Sequence, residues 1–408
     1  MASGEGDKGV WDVVIVGAGA AGLFCAGIAG QRGLKVLLID HAERVAEKIR
    51  ISGGGRCNFT NREVTAANFS GANPDFCRSA LARYTPADFI ALIQRHDIAW
   101  HEKHKGQLFC DDSAEQIIAM LLAECAAGNV TRWQPCAVAE VRRAGEGFAL
   151  DTDSGSVQTR QLVVATGGLS IPKIGASDFG YRLARQFGLR IIEPRPALVP
   201  LTFGAEQWAP FIPLAGVALP VEIRTGTAKS KASFNEDLLF THRGLSGPAV
   251  LQISSFWRSG QALSIDLLPG LDLAQTLREA KVGSRRQLGN ALAQWLPQRL
   301  AEAWIVAHHL PAERLMADVR DRDLASLAQS LSAWTLTPSG SEGFRKAEVT
   351  IGGVDTRELD SRDLQCKRLP GLHFIGEVVD VTGWLGGYNF QWAWASGAAC
   401  GRALSLTG

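Results

Sequence analysis

The sequence predicts an α/β fold in which a discontinuous parallel-sheet domain is interrupted by two insertions. Three observations support this prediction. A strand–turn–helix–strand unit occupies residues 12–40, and a buried apolar strand that ends in small residues occupies 161–168. A third apolar strand, 372–376, precedes a final helix of small residues. Because distant strands can join one parallel sheet, we expect both ends of the chain to build the first domain.

Between the second and the third of these strands, the pattern of the sequence changes twice. Residues 194–270 are rich in prolines and short β-like runs, which favours a β-barrel-like insertion. Residues 271–337 carry apolar side chains at helical spacing, which predicts a small helical domain. The predicted boundaries therefore assign residues 1–193 and 338–408 to the two parts of the first domain.

Composition argues against several classes of protein. The 408 residues include 42 basic and 41 acidic ones, so a net charge of +1 gives no global attraction to nucleic acid or an anionic membrane. The eight cysteines show no CxxC pair and no zinc-like spacing, which is typical of reduced intracellular thiols. Apolar runs are too short for a signal-peptide core or a membrane span. We expect a cytoplasmic protein with no membrane partner, and the oligomeric state is left open.

The first strand–turn–helix unit has a glycine pattern that fits a bound dinucleotide. Gly17 permits a tight turn, Gly19 lets the backbone approach a pyrophosphate, and Gly22 lets the helix pack close to the sheet. The helix N-terminus favours the negative pyrophosphate. Asp40 follows roughly 20 residues after the turn, where a carboxylate can bind ribose hydroxyls. The residues of this region predicted to bind the cofactor are Gly17, Ala18, Gly19, Ala20, Ala21, Gly22, Asp40, His41 and Lys48.

Three later segments could also pass close to a bound dinucleotide. Residues 52–58 contain three successive glycines, 163–168 end a buried strand in small residues, and 376–389 combine glycines with an aspartate. That aspartate could hydrogen-bond a polyol chain, and the glycines before the last helix could let backbone amides approach a ring edge. The residues predicted to bind the cofactor here are Ser52, Gly53, Gly54, Gly55, Arg56, Cys57, Asn58, Ala165, Thr166, Gly167, Gly376, Glu377, Asp380, Gly386, Gly387, Tyr388 and Asn389.

Together these motifs resemble the two-dinucleotide-binding flavoproteins, which hold FAD with an N-terminal GxGxxG, a central ATG strand and a C-terminal GD-type strand. More narrowly, residues 52–61, 240–248, 347–354 and 376–389 are similar to motifs of the bacterial BaiN/RdsA-type, or aminoacetone-oxidase-like, FAD-dependent oxidoreductases. The resemblance covers essentially the whole chain. It implies a Rossmann-like FAD-binding domain with an inserted β-barrel and a helical domain.

The resemblance also implies roles for individual residues. The glycines of the first turn would hold the pyrophosphate of FAD, and Asp40 would bind the adenosine ribose. The backbone of Ala137 or Val138 would contact the adenine edge. Residues 52–58 would surround the flavin side, with Asp380 on the ribityl chain.

Two side chains are candidate catalytic residues. His242 and Arg243 precede a Gly-Leu-Ser-Gly-Pro turn, and they could bind an anionic or carbonyl substrate and donate a proton. The alternative is that both only cap the turn. No metal site is predicted, because His101 and His104 are three residues apart rather than the four of an HExxH motif.

From these features we expect an FAD-dependent oxidoreductase that transfers a hydride at flavin N5 to or from a small molecule between the FAD domain and the β insertion. The Thr350-Ile-Gly-Gly353 strand resembles that of fumarate-reductase-type flavoproteins and favours reduction of an activated double bond, with NAD(P)H as a transient donor. An amine or amino-ketone oxidase that uses O2 is one alternative. A flavin-binding RNA-modifying or regulatory protein is another; nucleic acid is not favoured, because the basic segment 278–286 is short and not interleaved with aromatics.

Overall fold

The structure, a computed structural model, describes residues 10–226 and 231–405, which divide into two compact units. The first unit combines the residues up to Pro196 with those from Val349 onwards. The second unit runs from Ala197 to Glu348. The chain therefore leaves the first unit once and returns to it once.

The elements are numbered in chain order. The strands are β1 (Trp11–Val16), β2 (Val36–Ile39), β3 (Asn58–Asn61), β4 (Phe69–Ser70), β5 (Trp100–Glu102), β6 (Gln107–Cys110), β7 (Thr131–Trp133), β8 (Val138–Ala144), β9 (Gly147–Thr152), β10 (Gly155–Val164), β11 (Ile191–Ala197), β12 (Leu201–Thr202), β13 (Ala218–Thr225), β14 (Ala232–Phe240), β15 (Gly244–Ser246), β16 (Leu263–Asp266), β17 (Trp334–Leu336), β18 (Gly340–Ser341), β19 (Val349–Val354), β20 (Leu372–Phe374) and β21 (Thr382–Gly383).

The α-helices are α1 (Ala20–Gln31), α2 (Glu47–Ile51), α3 (Arg78–Arg83), α4 (Pro86–Arg95), α5 (Ala114–Ala127), α6 (Phe179–Gln186), α7 (Ala205–Trp208), α8 (Pro248–Phe256), α9 (Leu273–Lys281), α10 (Leu288–Leu292), α11 (Gln298–Ala307), α12 (Asp321–Ser332) and α13 (Tyr388–Ala403).

A parallel sheet forms the centre of the first unit. Strands β7, β2, β1, β10 and β20 are parallel neighbours in that order. Residues Val13–Val16 of β1 and Leu162–Val164 of β10 are apolar and buried, which suits strands that are covered on both faces. The antiparallel strands β8 and β9 complete the predicted β-meander with the first half of β10. The predicted Rossmann-like α/β fold is therefore confirmed.

Two helices rich in small residues pack closely beside this sheet. A Cβ atom on Gly397 of α13 would lie only 2.9 Å from the carbonyl oxygen of Ala21 in α1. A Cβ on Gly401 would lie 2.9 Å from the carbonyl oxygen of Cys25. Because only glycine leaves room at these positions, the composition of the last helix is explained by its close approach to α1.

The second unit contains a seven-stranded sheet in the order β17-β16-β13-β14-β15-β12-β18. Apolar side chains of the sheet, such as Leu263 and Ile265, share one buried cluster with helical side chains such as Leu277 and Leu300. The predicted β and helical insertions thus contribute to a common core. The sequence analysis did not predict α8, although Pro248 stands at its first position, where a proline loses no hydrogen bond.

All eight cysteines are buried and free of disulfide bonds. Among the described residues, no helix is both long enough and apolar enough to cross a membrane.

Candidate dinucleotide site

The carboxyl ends of three parallel strands bring the main glycine segments together. The N–H of Ala165 donates to the carbonyl of Val16 (2.8 Å), and the N–H of Ile375 donates to the carbonyl of Val164 (3.0 Å). Gly17, the Ala-Thr-Gly segment after β10 and Gly376 therefore leave the sheet side by side. The structure thus places these three predicted segments at one edge, which is where parallel α/β sheets bind ligands.

Close contacts within the protein leave no room for side chains at two positions of the first glycine turn. Gly17 has a φ of +110°, and a Cβ there would lie 2.4 Å from the carbonyl oxygen of Ala165. A Cβ on Gly22 would lie 1.8 Å from the carbonyl oxygen of Gly17. No side chain fits at either position, so both glycines are required by the protein itself.

Gly19 differs from its two neighbours in the motif. Its φ is −84°, and no heavy atom of the described chain lies within 4 Å of a Cβ placed there. Gly19 is also the N-cap of α1, which has no side-chain cap among the described residues. The N–H groups of the first turn are therefore available to an anion, and the space above Gly19 fits a pyrophosphate that approaches the backbone.

Asp40, which directly follows β2, forms a hydrogen bond with the same turn. Its carboxylate accepts hydrogen bonds from the N–H of Ala18 (2.6 Å) and the N–H of Ala42 (2.8 Å). The ring of His41 is half exposed, with Nδ1 3.8 Å from an Asp40 oxygen. A carboxylate has about four acceptor positions, so Asp40 can still accept from ribose hydroxyls. The ribose role of Asp40 stays a prediction.

The segment after β10 contains a buried polar atom without a partner. The Thr166 hydroxyl is buried and makes no hydrogen bond within the part of the chain that the structure describes. The next residue, Gly167, has a φ of +72°, and a Cβ there would have no described atom within 4 Å. A buried hydroxyl without a hydrogen-bond partner lowers the stability of the fold, and a ligand that passes this segment could supply the missing hydrogen bond.

A polar network connects four segments beside Gly376. The Lys48 ammonium donates to Glu377 (2.5 Å) and to the Ser170 hydroxyl (2.8 Å). Glu377 also accepts the backbone N–H of Thr350 (2.8 Å), and the Thr350 hydroxyl accepts the N–H of Leu169 (2.8 Å). Lys48 and Glu377 were predicted site residues. Ser170 and Thr350 were not predicted to be part of the site, although Thr350 begins the Thr-Ile-Gly-Gly segment, because a local pattern does not indicate a hydrogen-bond partner that is distant in the chain.

The three-glycine segment forms an open loop. Gly53, Gly54 and Gly55 all have left-handed φ angles, between 58° and 85°. Cβ atoms on Gly54 and Gly55 would meet no described atom, so packing does not explain these two glycines. Arg56 is exposed, whereas Cys57 is fully buried.

Burial raises the pKa of the Cys57 thiol far above its usual value, and the neighbouring Cys110 adds to this effect. Cys57 is therefore a neutral packed side chain rather than a thiolate. The amide of Asn58, in the orientation that satisfies its neighbours, accepts the N–H of Gly387 (3.2 Å). This contact connects the three-glycine loop to the start of α13.

The start of α13 is a second uncapped helix N-terminus. Gly387, its N-cap, has a φ of +93°, and a Cβ there would lie 2.3 Å from the carbonyl oxygen of Thr60. Among the described residues no side chain caps this helix. The Asn389 amide accepts from the N–H of Gly383 (2.8 Å) and so holds the preceding loop. Tyr388 and Gly386 adjoin this turn, where burial raises the pKa of the Tyr388 phenol.

Asp380 is buried, and its carboxylate accepts the N–H of Ala72 (2.7 Å). Burial is the main cause that raises its pKa, and the nearby Asp355 acts in the same direction. A buried carboxylate beside the glycine segments can accept from a polyol hydroxyl through its other oxygen. Its role at the ribityl chain remains a prediction.

The predicted adenine contact lies beside Asp40, since the N–H of Cys136 donates to the Asp40 carbonyl (2.8 Å). The backbone of Ala137 is engaged with Asp153, whose carboxylate accepts its N–H (2.9 Å) and whose N–H donates to its carbonyl (3.1 Å). Val138 begins β8. The adenine contact of these residues stays a prediction.

His242 and Arg243 belong to the second unit. Their turn is held by Thr241, whose hydroxyl accepts the N–H of Gly244 (3.1 Å) and donates to its carbonyl (2.9 Å). The Arg243 guanidinium instead pairs with Glu342 (3.2 Å), and the His242 ring is exposed. Neither side chain therefore provides the hydrogen bonds that close the turn, and the catalytic assignment stays a prediction.

Comparison with known proteins gives the chain its family. Residues 11–403 match the family model described as "HI0933-like protein Rossmann domain". The chain is 52% identical to a ribosomal RNA dihydrouridine synthase of Escherichia coli (strain K12), over 97% of this chain and 98% of that protein. It is 46% identical to the protein of the same name from Haemophilus influenzae, over 96% and 98%. It is 27% identical to a 3-dehydro-bile acid delta(4,6)-reductase of Clostridium scindens, over 96% and 98%.

These names correct one prediction. The sequence analysis expected a small-molecule substrate and did not favour nucleic acid, but two relatives that align over nearly their whole length are named for ribosomal RNA. The prediction is wrong: it relied on the net charge of the chain and on the short basic segment 278–286, and neither a summed charge nor one sequence segment reports which charged groups the fold brings together on a surface. The resemblance inferred from the motifs is confirmed, and the chain belongs to the HI0933-like family of proteins with a Rossmann domain.

Proposed function

We propose that this protein is an FAD-dependent oxidoreductase that reduces a uridine base of ribosomal RNA to dihydrouridine. The observation that carries the proposal is the 52% identity, over 97% of the chain, to a protein named for this reaction. The dinucleotide site of the first unit supports the FAD part of the proposal independently of any name.

The residues of the first unit fit FAD. The open face above Gly19 and the uncapped start of α1 suit a pyrophosphate, and the unpartnered Thr166 hydroxyl lies on the neighbouring segment. Asp40 would bind the adenosine ribose and Asp380 the ribityl chain. The three-glycine loop and the start of α13 would contact the flavin, since Asn58 and Gly387 connect them. When bound, FAD supplies hydride chemistry that no amino-acid side chain provides.

The reaction adds one hydride and one proton across the C5=C6 bond of uracil. This bond is conjugated with the C4 carbonyl, so hydride adds to C6 and the proton to C5. The name of the Clostridium scindens relative also describes reduction of double bonds in a dehydro compound. The predicted activity on an activated double bond therefore suits an RNA base.

His242 is our candidate proton donor, because its ring is exposed and makes no hydrogen bond within the described residues. Imidazole is a common general acid in enzymes. Arg243 would bind a carbonyl oxygen or a phosphate, as guanidinium groups do.

We further propose that NADH or NADPH supplies the two electrons for each reduced base. The test is anaerobic incubation of the FAD-loaded protein with each nicotinamide and an unmodified ribosomal RNA transcript, followed by nucleoside mass spectrometry. We expect the nicotinamide to bleach the flavin absorbance and dihydrouridine to form. Ribosomal RNA from cells that carry the gene is the control, because its target base is already reduced.

Bleaching without dihydrouridine in the transcript or in assembled subunits would contradict the RNA reaction. Bleaching by amines alone, with release of peroxide, would instead support the oxidase alternative.

A further inference from the structure

A group of arginines lies on the surface of the second unit. We call Arg278, Arg285, Arg286 and Arg314 the arginine patch. All four are exposed. A short antiparallel bridge connects the segments of Arg285, Arg286 and Arg314, because the N–H of Leu288 donates to the carbonyl of Arg314 (2.8 Å) and the N–H of Met316 donates to that of Arg286 (2.9 Å). The fold thus places Arg314 beside a basic segment from which it is distant in sequence.

The guanidinium groups of the patch have no hydrogen-bond or ion-pair partner within the described residues. Several other exposed arginines of the same unit are paired with carboxylates, namely Arg224 with Glu222, Arg243 with Glu342, and Arg320 with Asp323, whereas Arg258 and Arg299 donate to backbone carbonyls. The acidic residues nearest in sequence are Glu279, which accepts from Gln275 (2.8 Å), and Glu313. Lys281 is engaged with Asp321 (2.6 Å). The four guanidinium charges of the patch therefore outnumber the two neighbouring carboxylates, Glu279 and Glu313, and form no ion pair with them within the described residues.

Exposed apolar side chains accompany these arginines. Val282, in the loop between α9 and α10, is 83% exposed, and Leu315, in the bridge, is 42% exposed. Folding gains nothing from an exposed valine, whereas a contact surface gains from covering it. Unpaired arginines beside exposed apolar groups are typical of surfaces that bind nucleic acid, where phosphates take the charge and sugars or bases cover the apolar atoms.

We propose that the arginine patch binds the phosphate backbone of the RNA substrate. This inference rests on the proposed function, and it assigns part of the RNA contact to the second unit. Arginine suits the task because its planar guanidinium can donate two parallel hydrogen bonds to one phosphate. Such contacts position the RNA without reading its sequence.

The test compares two triple variants that remove the same charge. The patch variant is Arg285→Gln, Arg286→Gln and Arg314→Gln. The control variant is Arg224→Gln, Arg320→Gln and Arg322→Gln, which removes arginines of the same unit that lie beside carboxylates. The affinity of each for a protein-free ribosomal RNA transcript is measured at several salt concentrations.

Each phosphate contact contributes roughly 0.7 to 0.9 to the slope of log affinity against log salt. The patch variant should therefore bind at least about tenfold more weakly at low salt, with a slope reduced by about 2 to 3, while the control variant keeps the wild-type slope. At saturating RNA the patch variant should reach the wild-type rate of dihydrouridine formation.

The outcomes separate this inference from the proposed function. A wild-type protein that reduces the transcript, with an unchanged slope in the patch variant, overturns the patch and leaves the function standing. A wild-type protein that neither binds nor reduces RNA overturns both. A patch variant that binds the transcript normally but loses affinity for intact ribosomal subunits would indicate a contact with ribosomal protein and would also overturn the inference.

Discussion

The substitution Gly19→Asp should stabilise the cofactor-free protein against unfolding and strongly weaken its FAD binding. Gly19 is the N-cap of α1, has a φ of −84°, and has open space around a Cβ. An aspartate fits there and can accept hydrogen bonds from the first turn of the helix, as N-cap aspartates commonly do. The same carboxylate would occupy and repel the place of the pyrophosphate. The effects on stability and on binding therefore have opposite signs, which general misfolding cannot produce.

The structure sets the expected magnitudes. Replacing an N-cap glycine by aspartate gains a few tenths of a kcal/mol, and a negative charge at a helix N-terminus adds about 0.3–1 kcal/mol. The unfolding free energy of the cofactor-free protein should rise by about 0.5–1 kcal/mol. The pyrophosphate would lose at least two hydrogen bonds to a charged group, each of about 1.5–3 kcal/mol. Since about 1.4 kcal/mol is a factor of ten, the Kd for FAD should rise by about 100-fold or more.

The assay is an FAD titration of cofactor-free protein by ultrafiltration and absorbance, together with urea unfolding of the same samples. Gly204→Asp is the matched control, because Gly204 is the uncapped N-cap of α7 in the second unit and also has open space around a Cβ. This variant should bind FAD like the wild type. A Gly19→Asp protein with an unchanged Kd for FAD would refute the placement of the pyrophosphate at α1.

Three further predictions follow from other sites. Gly397→Val should lower the unfolding free energy by about 1–3 kcal/mol, because the Cβ of the valine would lie 2.9 Å from a carbonyl oxygen of α1. An unchanged midpoint of urea unfolding would argue against the close contact between α13 and α1. Asp380→Asn should become more stable relative to wild type as pH rises from about 4 to 7. The folded pKa of the Asp380 carboxyl is raised, so its contribution to the stability of the wild type is complete below the unfolded pKa of 3.8 and is lost as pH rises through the folded pKa. The asparagine does not titrate and shows no such loss. Urea unfolding of cofactor-free protein across that range checks this sign, and a constant difference would contradict the raised pKa. His242→Ala and Arg243→Ala should leave FAD affinity and stability nearly unchanged, since both residues are exposed. Each should slow dihydrouridine formation by roughly 10²-fold or more. A variant kcat equal to that of the wild type would show that the residue takes no part in the reaction.

Local patterns sufficed to predict the central fold. The strand–turn–helix unit is recognisable because Gly17 and Gly22 are required by contacts within a few residues of chain and with the adjacent strand. A Thr-Pro pair such as Thr85-Pro86 is typical of a helix start, and the structure shows Thr85 as the N-cap of α4 with a capping box to Asp88. Such signals depend on neighbouring residues, so a single sequence contains them.

Features that depend on distant partners were not predicted. No strand was predicted around His101, but β5 and β6 form an antiparallel sheet there with β3. The pairing partner lies far back in the chain, and a short polar strand has no strong periodicity of its own. For the same reason Ser170 and Thr350 were missed beside Glu377, and Arg314 was not connected to the basic segment.

The central claim is tested most directly by nucleoside mass spectrometry of ribosomal RNA from cells that lack this gene. We expect the dihydrouridine made by this protein to be missing, to return with a plasmid copy of the wild type or of Gly204→Asp, and to stay missing with Gly19→Asp. Unchanged dihydrouridine in the ribosomal RNA of the gene-deleted cells would contradict the proposed function.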